Sequence, residues 1–330
     1  MRIVVALGGN ALLRRGERMT IEAQRTNVRI AAVALADLAR DNQIIVAHGN
    51  GPQVGLLALQ SASYAPDLPI PLDVLGAETE GMIGYLIEQE LMNAMPPGTR
   101  FATLLSRVEV DINDPAFTSP TKPIGPVYTA EEAKIVRAEH LWSMVSESTG
   151  GLRRVVPSPE PLAILGLEAI RLLVDAGITV ICAGGGGIPV VRGADGKMAG
   201  VEAVIDKDRT SALLAQMLKA DALLMLTDVE GVFRDFGTPE QMLIKGITPS
   251  GLEAMDFEAG SMGPKVASAV TFVRSGGKRA GIGRLADARD IIEGRAGTLV
   301  VADEAAGAGM PHNKYGSGPT SISAAVGEAD

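Results

Sequence analysis

Aromatic side chains are scarce here: Phe, Trp and Tyr make up 3% of 330 residues. So little aromatic surface argues against a stacking platform for single-stranded nucleic acid. A net charge of −9 argues against a general DNA or RNA binder. There is one cysteine, Cys182, so no disulfide can form within the chain, which suits a reducing compartment. It lies inside an apolar run and reads as a buried, inert thiol. The three histidines, His48, His140 and His312, have no paired spacing, so no zinc site is expected. No charged-then-apolar leader opens the sequence, and no apolar run reaches the roughly 18 residues of a membrane span. The expected setting is cytoplasmic, with neither membrane nor nucleic-acid partners.

What is present is aliphatic. Hydrophobic residues make up 46% of the chain, enough for two lobes or one large sheet. Three near-continuous apolar runs each end in glycine: Arg2–Leu7 before Gly8-Gly9-Asn10, Ile44–His48 before Gly49-Asn50-Gly51, and Ile178–Ala183 before Gly184–Gly187. Such runs read as buried parallel strands. Glycines at their carboxyl ends let a ligand approach backbone N–H groups. Three such loops can converge on one site, because open α/β sheets bind ligands there.

A further cluster lies in Gly200–Asp208, which sets Asp206, Lys207 and Asp208 side by side. After it, Leu213, Leu214, Met217 and Leu218 recur at helical spacing. The triplet is therefore expected at a helix N-terminus, where free N–H groups and the dipole favour an anion. Neither the P-loop pattern nor a strand-borne G-x-G-x-x-G occurs, and the eukaryotic protein-kinase signatures are missing.

Along the chain, helices are expected at Thr20–Arg40, from Gly51, at Glu78–Ala94, at Thr129–Ser146 and at Gly166–Ala176, with a strand at Phe101–Val110. Pro115, Pro120, Pro123 and Pro126 rule out an interior strand or helix at that point. Residues 113–161 are read as an excursion off the main sheet, carrying Lys122 in a stiff proline frame. Ala222–Thr227 reads as another buried strand, and Lys265 sits at a second helix start. Short strands at Arg279–Leu285 and Thr298–Ala302 would finish the sheet. Residues 302–330, rich in Ala, Gly and Ser, are expected to be a flexible tail.

Gly8-Gly9-Asn10, His48–Gly55, Pro120–Pro126, Gly184–Val190, Gly200–Asp208 and Gly260–Lys265 together resemble carbamate kinases of the amino-acid kinase superfamily. The order is kept from residue 1 to about 301. The resemblance implies a three-layer α/β/α sandwich around a mostly parallel open sheet, with a small protruding subdomain. It implies an acceptor lobe at residues 1–200, a nucleotide lobe at 201–301, and a homodimer. The implied reaction is ATP plus carbamate giving ADP plus carbamoyl phosphate, run towards ATP where arginine is fermented.

On this pattern Gly8, Gly9, Asn10, Gly49, Asn50 and Gly51 hold the acceptor and the moving phosphoryl group. Lys207 and Lys265 bridge that group, Lys122 closes over it, and Asp206 and Asp208 orient the lysines. Gly185, Gly186, Thr227, Asp228, Val232 and Met262 serve the nucleotide. Mg²⁺ arrives on the nucleotide phosphates, with no protein metal ligand. Glu78 and Glu80 depart from the pattern, in which a neutral or amide residue usually precedes Gly81. They are expected to be solvated acids in a first helical turn. Two alternatives stay open: a kinase of another small acid, and a non-catalytic sensor of nucleotide or carbamoyl phosphate.

Overall fold

The computed structural model describes residues 1–14, 16–65, 67–140, 142–146, 150–257 and 262–303; most of the expected tail lies outside them. The chain starts with β1 (Arg2–Leu7), α1 (Ile21–Ala39), β2 (Gln43–His48), α2 (Gly51–Tyr64), α3 (Leu72–Ala94), β3 (Phe101–Thr103) and β4 (Arg107–Glu109). Then come β5 (Lys122–Tyr128), α4 (Ala130–His140), β6 (Met144–Ser146), β7 (Leu152–Val156), β8 (Ala163–Ile164) and α5 (Leu167–Asp175). Next are β9 (Thr179–Ile181), β10 (Ile188–Arg192), β11 (Met198–Gly200), α6 (Lys207–Met217) and β12 (Ala222–Thr227). The order ends with β13 (Phe233–Arg234), β14 (Met242–Leu243), β15 (Gly246–Ile247), α7 (Pro249–Glu253), α8 (Met262–Arg274), β16 (Arg279–Arg284), α9 (Ala288–Ile292) and β17 (Thr298–Val301).

An eight-stranded sheet runs β15-β17-β16-β12-β1-β2-β9-β3. Its pairings are parallel except β16 with β17. The central strands are apolar throughout because both faces are covered. On one face Ile3, Val5, Ile44 and Val46 meet α1 (Val28, Leu35), α3 (Ile83, Ile87) and α9 (Ile291). On the other, Val4, Ala6, Ile45 and Met225 meet α5 (Val174), α6 (Leu214) and α8 (Phe272). This is the expected three-layer sandwich.

Strand β1 sits at the centre, with β2 and β9 to one side and β12 and β16 to the other. Register aligns Leu7 with both His48 and Leu226. Gly8, Gly49 and Thr227, the residues that follow, therefore lie side by side at the carboxyl edge, where the direction of strand succession reverses.

The expected strand Phe101–Val110 is two strands. β3 ends the main sheet, and β4 joins a second sheet of order β11-β10-β4-β8. Ser106 marks the break: its N–H donates to the Glu80 carboxylate and its carbonyl accepts from Ile188 N–H. The helix expected to start at Glu78 starts at Leu72, behind Pro71. The helix expected over Thr129–Ser146 stops at His140, and Met144–Ser146 pairs with β7.

The proline-rich excursion forms a separate sheet, β5-β7-β6, with β5 at its edge, where proline is tolerated. It is docked by Val54, Leu72, Leu75, Ile124, Val156 and Val204, which share a small apolar core. Gly55 of α2 faces Gly125 of β5 so closely that a Cβ on Gly55 would lie 2.0 Å from the Gly125 backbone. Only paired glycines allow that approach.

Candidate active site

Three lysines far apart in sequence meet at the start of α6. Asp206 is its N-cap: one carboxylate oxygen accepts from the N–H groups of Asp208, at 2.9 Å, and Arg209, at 3.4 Å. This corrects the expectation of free N–H groups there, because the chain's own carboxylate takes the place of an anion. The other Asp206 oxygen pairs with Lys122 from β5. Asp208, 3% exposed, accepts from Lys207 at 2.6 Å and from Lys265, in the first turn of α8, at 3.2 Å.

Electrostatics differ among these groups. Burial opposes the charge on Asp206, but Lys122 and Lys207 outweigh it and hold the carboxyl below the ordinary range. Asp208 is lowered in the same way, against its burial, by Lys207 and Lys265. Burial opposes the charge on Lys207 too, yet Asp208 and Asp206 raise its pKa. Lys265 is lowered, because burial and the neighbouring Lys207 charge outweigh Asp208. Lys122, Lys207, Lys265, Asp206 and Asp208 sum to a formal charge of +1, a balance suited to an anionic ligand.

The glycine loops frame this cluster. A Cβ on Gly49 would lie 3.4 Å from the Gly9 backbone and 3.5 Å from the Lys207 side chain. Gly9 faces open space on its side-chain side, and Gly51 opens α2. Gly9, Asn10 and Ala11 form a short 3₁₀ turn; the Asn10 side chain lies outside the described residues. Asn50 is buried and donates to Thr79 Oγ1 at 2.9 Å.

Gly185 and Gly186 are buried in the turn after β9. Gly185, at φ +68°, covers Asn50, and a Cβ there would overlap the amide group. Gly186 lies against Ile205, and its carbonyl accepts from Thr210 Oγ1.

One cavity reaches Lys122, and a second is lined from the helix that carries Lys265. One, of about 610 Å³, lies under the excursion and is lined by Lys122, Arg153, Asp206, Arg209 and Pro264. Arg209 also pairs with Glu160 at 2.5 Å, tying α6 to the strap after β7. The other, of about 500 Å³, is lined by Val229, Phe233, Phe236, Phe257 and Met262. Thr227 and Asp228 sit at the end of β12, with Thr227 Oγ1 donating to Asp228 at 3.1 Å. The Val232 side chain is fully buried in the main core, and its N–H donates to Thr298 Oγ1.

The phenylalanines were missed. Three of the chain's six line this one cavity, and such concentration in an aromatic-poor chain was the available signal. Glu78 is exposed as expected, but Glu80 is not a solvated acid: it is 1% exposed in the middle of α3. Among the described residues no group of three or more acidic, His or Cys side chains could hold a metal ion. No described helix is long and apolar enough to cross a membrane.

Comparison with known proteins agrees with this geometry. The model of the amino acid kinase family matches residues 1–283. A carbamate kinase of Haemophilus influenzae is 56% identical over 300 residues, covering 91% of this chain and 96% of that relative. Two structures of carbamate kinase from Giardia lamblia are 38% identical and cover 92% of this chain and 98% of theirs. The one bound to citric acid has a TM-score of 0.85 and the one bound to AMP-PNP 0.82. The chain therefore belongs to the amino acid kinase family and, within it, to the carbamate kinases.

Proposed function

We propose that the cleft transfers a phosphoryl group reversibly between ATP and carbamate, giving ADP and carbamoyl phosphate, and that in the cell it runs towards ATP. One observation carries this reading: Lys122, Lys207 and Lys265 converge on Asp206 and Asp208 at the carboxyl edge of the sheet, beside the cavity under the excursion. Phosphoryl transfer through a loose transition state needs positioning and charge neutralisation rather than covalent chemistry. Lys207 and Lys265, fixed by one carboxylate, would bridge the equatorial oxygens. Lys122 would close from the excursion. Backbone N–H groups of Gly8, Gly9, Gly49 and Gly51 would cradle the acceptor, with Asn10 and Asn50 as added donors.

The nucleotide base fits the phenylalanine-lined cavity beside Met262, with Thr227 and Asp228 at its rim. The β1, β2 and β9 side would thus serve the acceptor and the β12 and β16 side the nucleotide. Mg²⁺ enters as part of the nucleotide substrate, since both oxygens of Asp206 and of Asp208 are already engaged by the protein. Carbamate carries its own negative charge, so no general base is required. Buried His48, held neutral, is not needed as one. Glu80 gives no ground for a different acceptor acid, because its carboxylate holds backbone N–H groups instead of facing the cleft. A homodimer is part of the same proposal.

The test is ATP formation from ADP, Mg²⁺ and carbamoyl phosphate. Lys207→Ala should lower kcat by about 10²–10³, as for loss of a preorganised charge donor. Absence of turnover in the unaltered protein, with ATP binding intact, would overturn the assignment and favour a sensor.

A further inference from the structure

Glu80 lies outside the set of groups that could touch substrate, yet it joins the two loops that frame them. Its Oε1 accepts from Gly184 N–H at 2.8 Å and its Oε2 from Ser106 N–H at 3.1 Å. Ser106 passes the connection on: its Oγ accepts from Ala183 N–H at 2.8 Å. Ala183 has φ +54°, a region that a residue with a Cβ seldom enters, so its backbone must be held there by its surroundings. One step back on α3, Thr79 accepts from Asn50 at 2.9 Å, and Gly185 covers the other side of that amide. Two consecutive residues of one helix therefore fix Asn50 and the turn that packs over it.

We infer that Glu80 is a positioning residue for phosphoryl transfer: its carboxylate, by accepting from Ser106 and Gly184 together, holds the Ala183–Gly186 turn against Asn50. The inference rests on the proposed phosphoryl-transfer reading of the same cleft. The chemistry requires an ionised carboxylate. Two N–H donors on two oxygens satisfy a carboxylate, whereas a carboxylic acid carries a hydroxyl that competes with one of them. Burial pushes Glu80 up to about 8, against the pull of Ser106 and Gly184. The titratable groups facing it are His48 from β2 and Cys182 just after β9, and burial keeps both uncharged. Among the described residues no lysine or arginine forms an ion pair with it. The clamp thus tightens as pH rises through the slightly alkaline range.

The experiment compares the unaltered protein with Glu80→Gln, which keeps the shape and one acceptor but turns an N–H donor towards one of the two N–H groups, of Ser106 or Gly184. kcat for ATP formation is measured from pH 6 to 9.5. The unaltered protein should gain turnover with a midpoint near 8. Glu80→Gln should lack that limb, with kcat about tenfold lower at pH 9 and little change in KM. Hydrogen exchange of the 183–187 backbone, corrected for intrinsic rates, is followed in parallel and needs no substrate. Protection in the unaltered protein should strengthen over the same range and stay weak in the variant. An identical kcat profile in a folded Glu80→Gln protein would overturn the inference. So would pH-invariant protection in the unaltered protein, which decides the matter even if the variant does not fold. Failure of the unaltered protein to make ATP would instead remove the functional reading, leaving the exchange data to judge the clamp.

Discussion

At Asp208 two buried ammonium groups share one carboxylate. The pair Lys207 and Lys265 would otherwise repel in a medium far less screening than water. Asp208→Asn keeps the volume and removes the charge that holds them. Breaking a buried ion pair from one side costs about 3–5 kcal/mol, and that loss should appear in urea denaturation at pH 7. It should shrink as pH rises, because Lys265, already depressed by burial and by Lys207, gives up its proton first. A loss that is constant with pH would mean that the lysines do not depend on Asp208 for their charge. The same substitution should lower kcat, since both lysines lose their anchor.

On the scale of elements, the position of Lys122 depends on how β5 lies against α2. Lys122 is three residues before Gly125, and Gly125 rests on Gly55 with no room for a methyl group. The Gly125 carbonyl also accepts from Arg153 at 3.0 Å, so the bulged strand cannot shift alone. Gly55→Ala should destabilise by about 1–3 kcal/mol, as overpacking does. It should also lower kcat while nucleotide affinity stays the same, because the phenylalanine-lined cavity is formed by other elements. A drop in Tm with kcat unchanged would show that β5 can move without carrying Lys122.

On the scale of the whole molecule, two buried groups of opposite kind shape stability against pH. His48 is pushed down to about 4 by burial. Its folded pKa is below the unfolded value, so stability it supports above about pH 6.5 is lost as pH falls towards 4. Glu80 is raised to about 8, so its contribution is complete below about pH 4.5 and is lost as pH rises through 8. Between pH 4.5 and 6.5 the two trends oppose each other. From 6.5 to 8 Glu80 acts alone, and at 1.36 kcal/mol per pH unit folding stability should fall by about 2 kcal/mol. Urea denaturation at pH 6.5 and 8 should show that fall in the unaltered protein, and Glu80→Gln should flatten it. An equal slope in both would assign the titration to another group. Stability and clamp tightness then change in opposite directions with pH, because one ionisation drives both.

The sequence by itself determined the central strands of the main sheet, the glycine turns at their ends and the charged triplet at the start of α6. These depend on local periodicity and on backbone freedom, and both are written within a few residues. Thr20 capping α1 and the triplet opening α6 are of this kind. Only the tertiary structure decided which charges pair. Lys122 reaches Asp206 across 84 residues and Lys265 reaches Asp208 across 57, through β5 and α8 docking that no local pattern encodes. The same holds for Glu80, read as a solvated acid because its helix was expected to begin beside it. The true start, after Pro71, places it two turns in, on the face that meets Ser106 and Gly184. Burial is a property of packed neighbours, and packing turned a surface acid into a buried carboxylate between two loops.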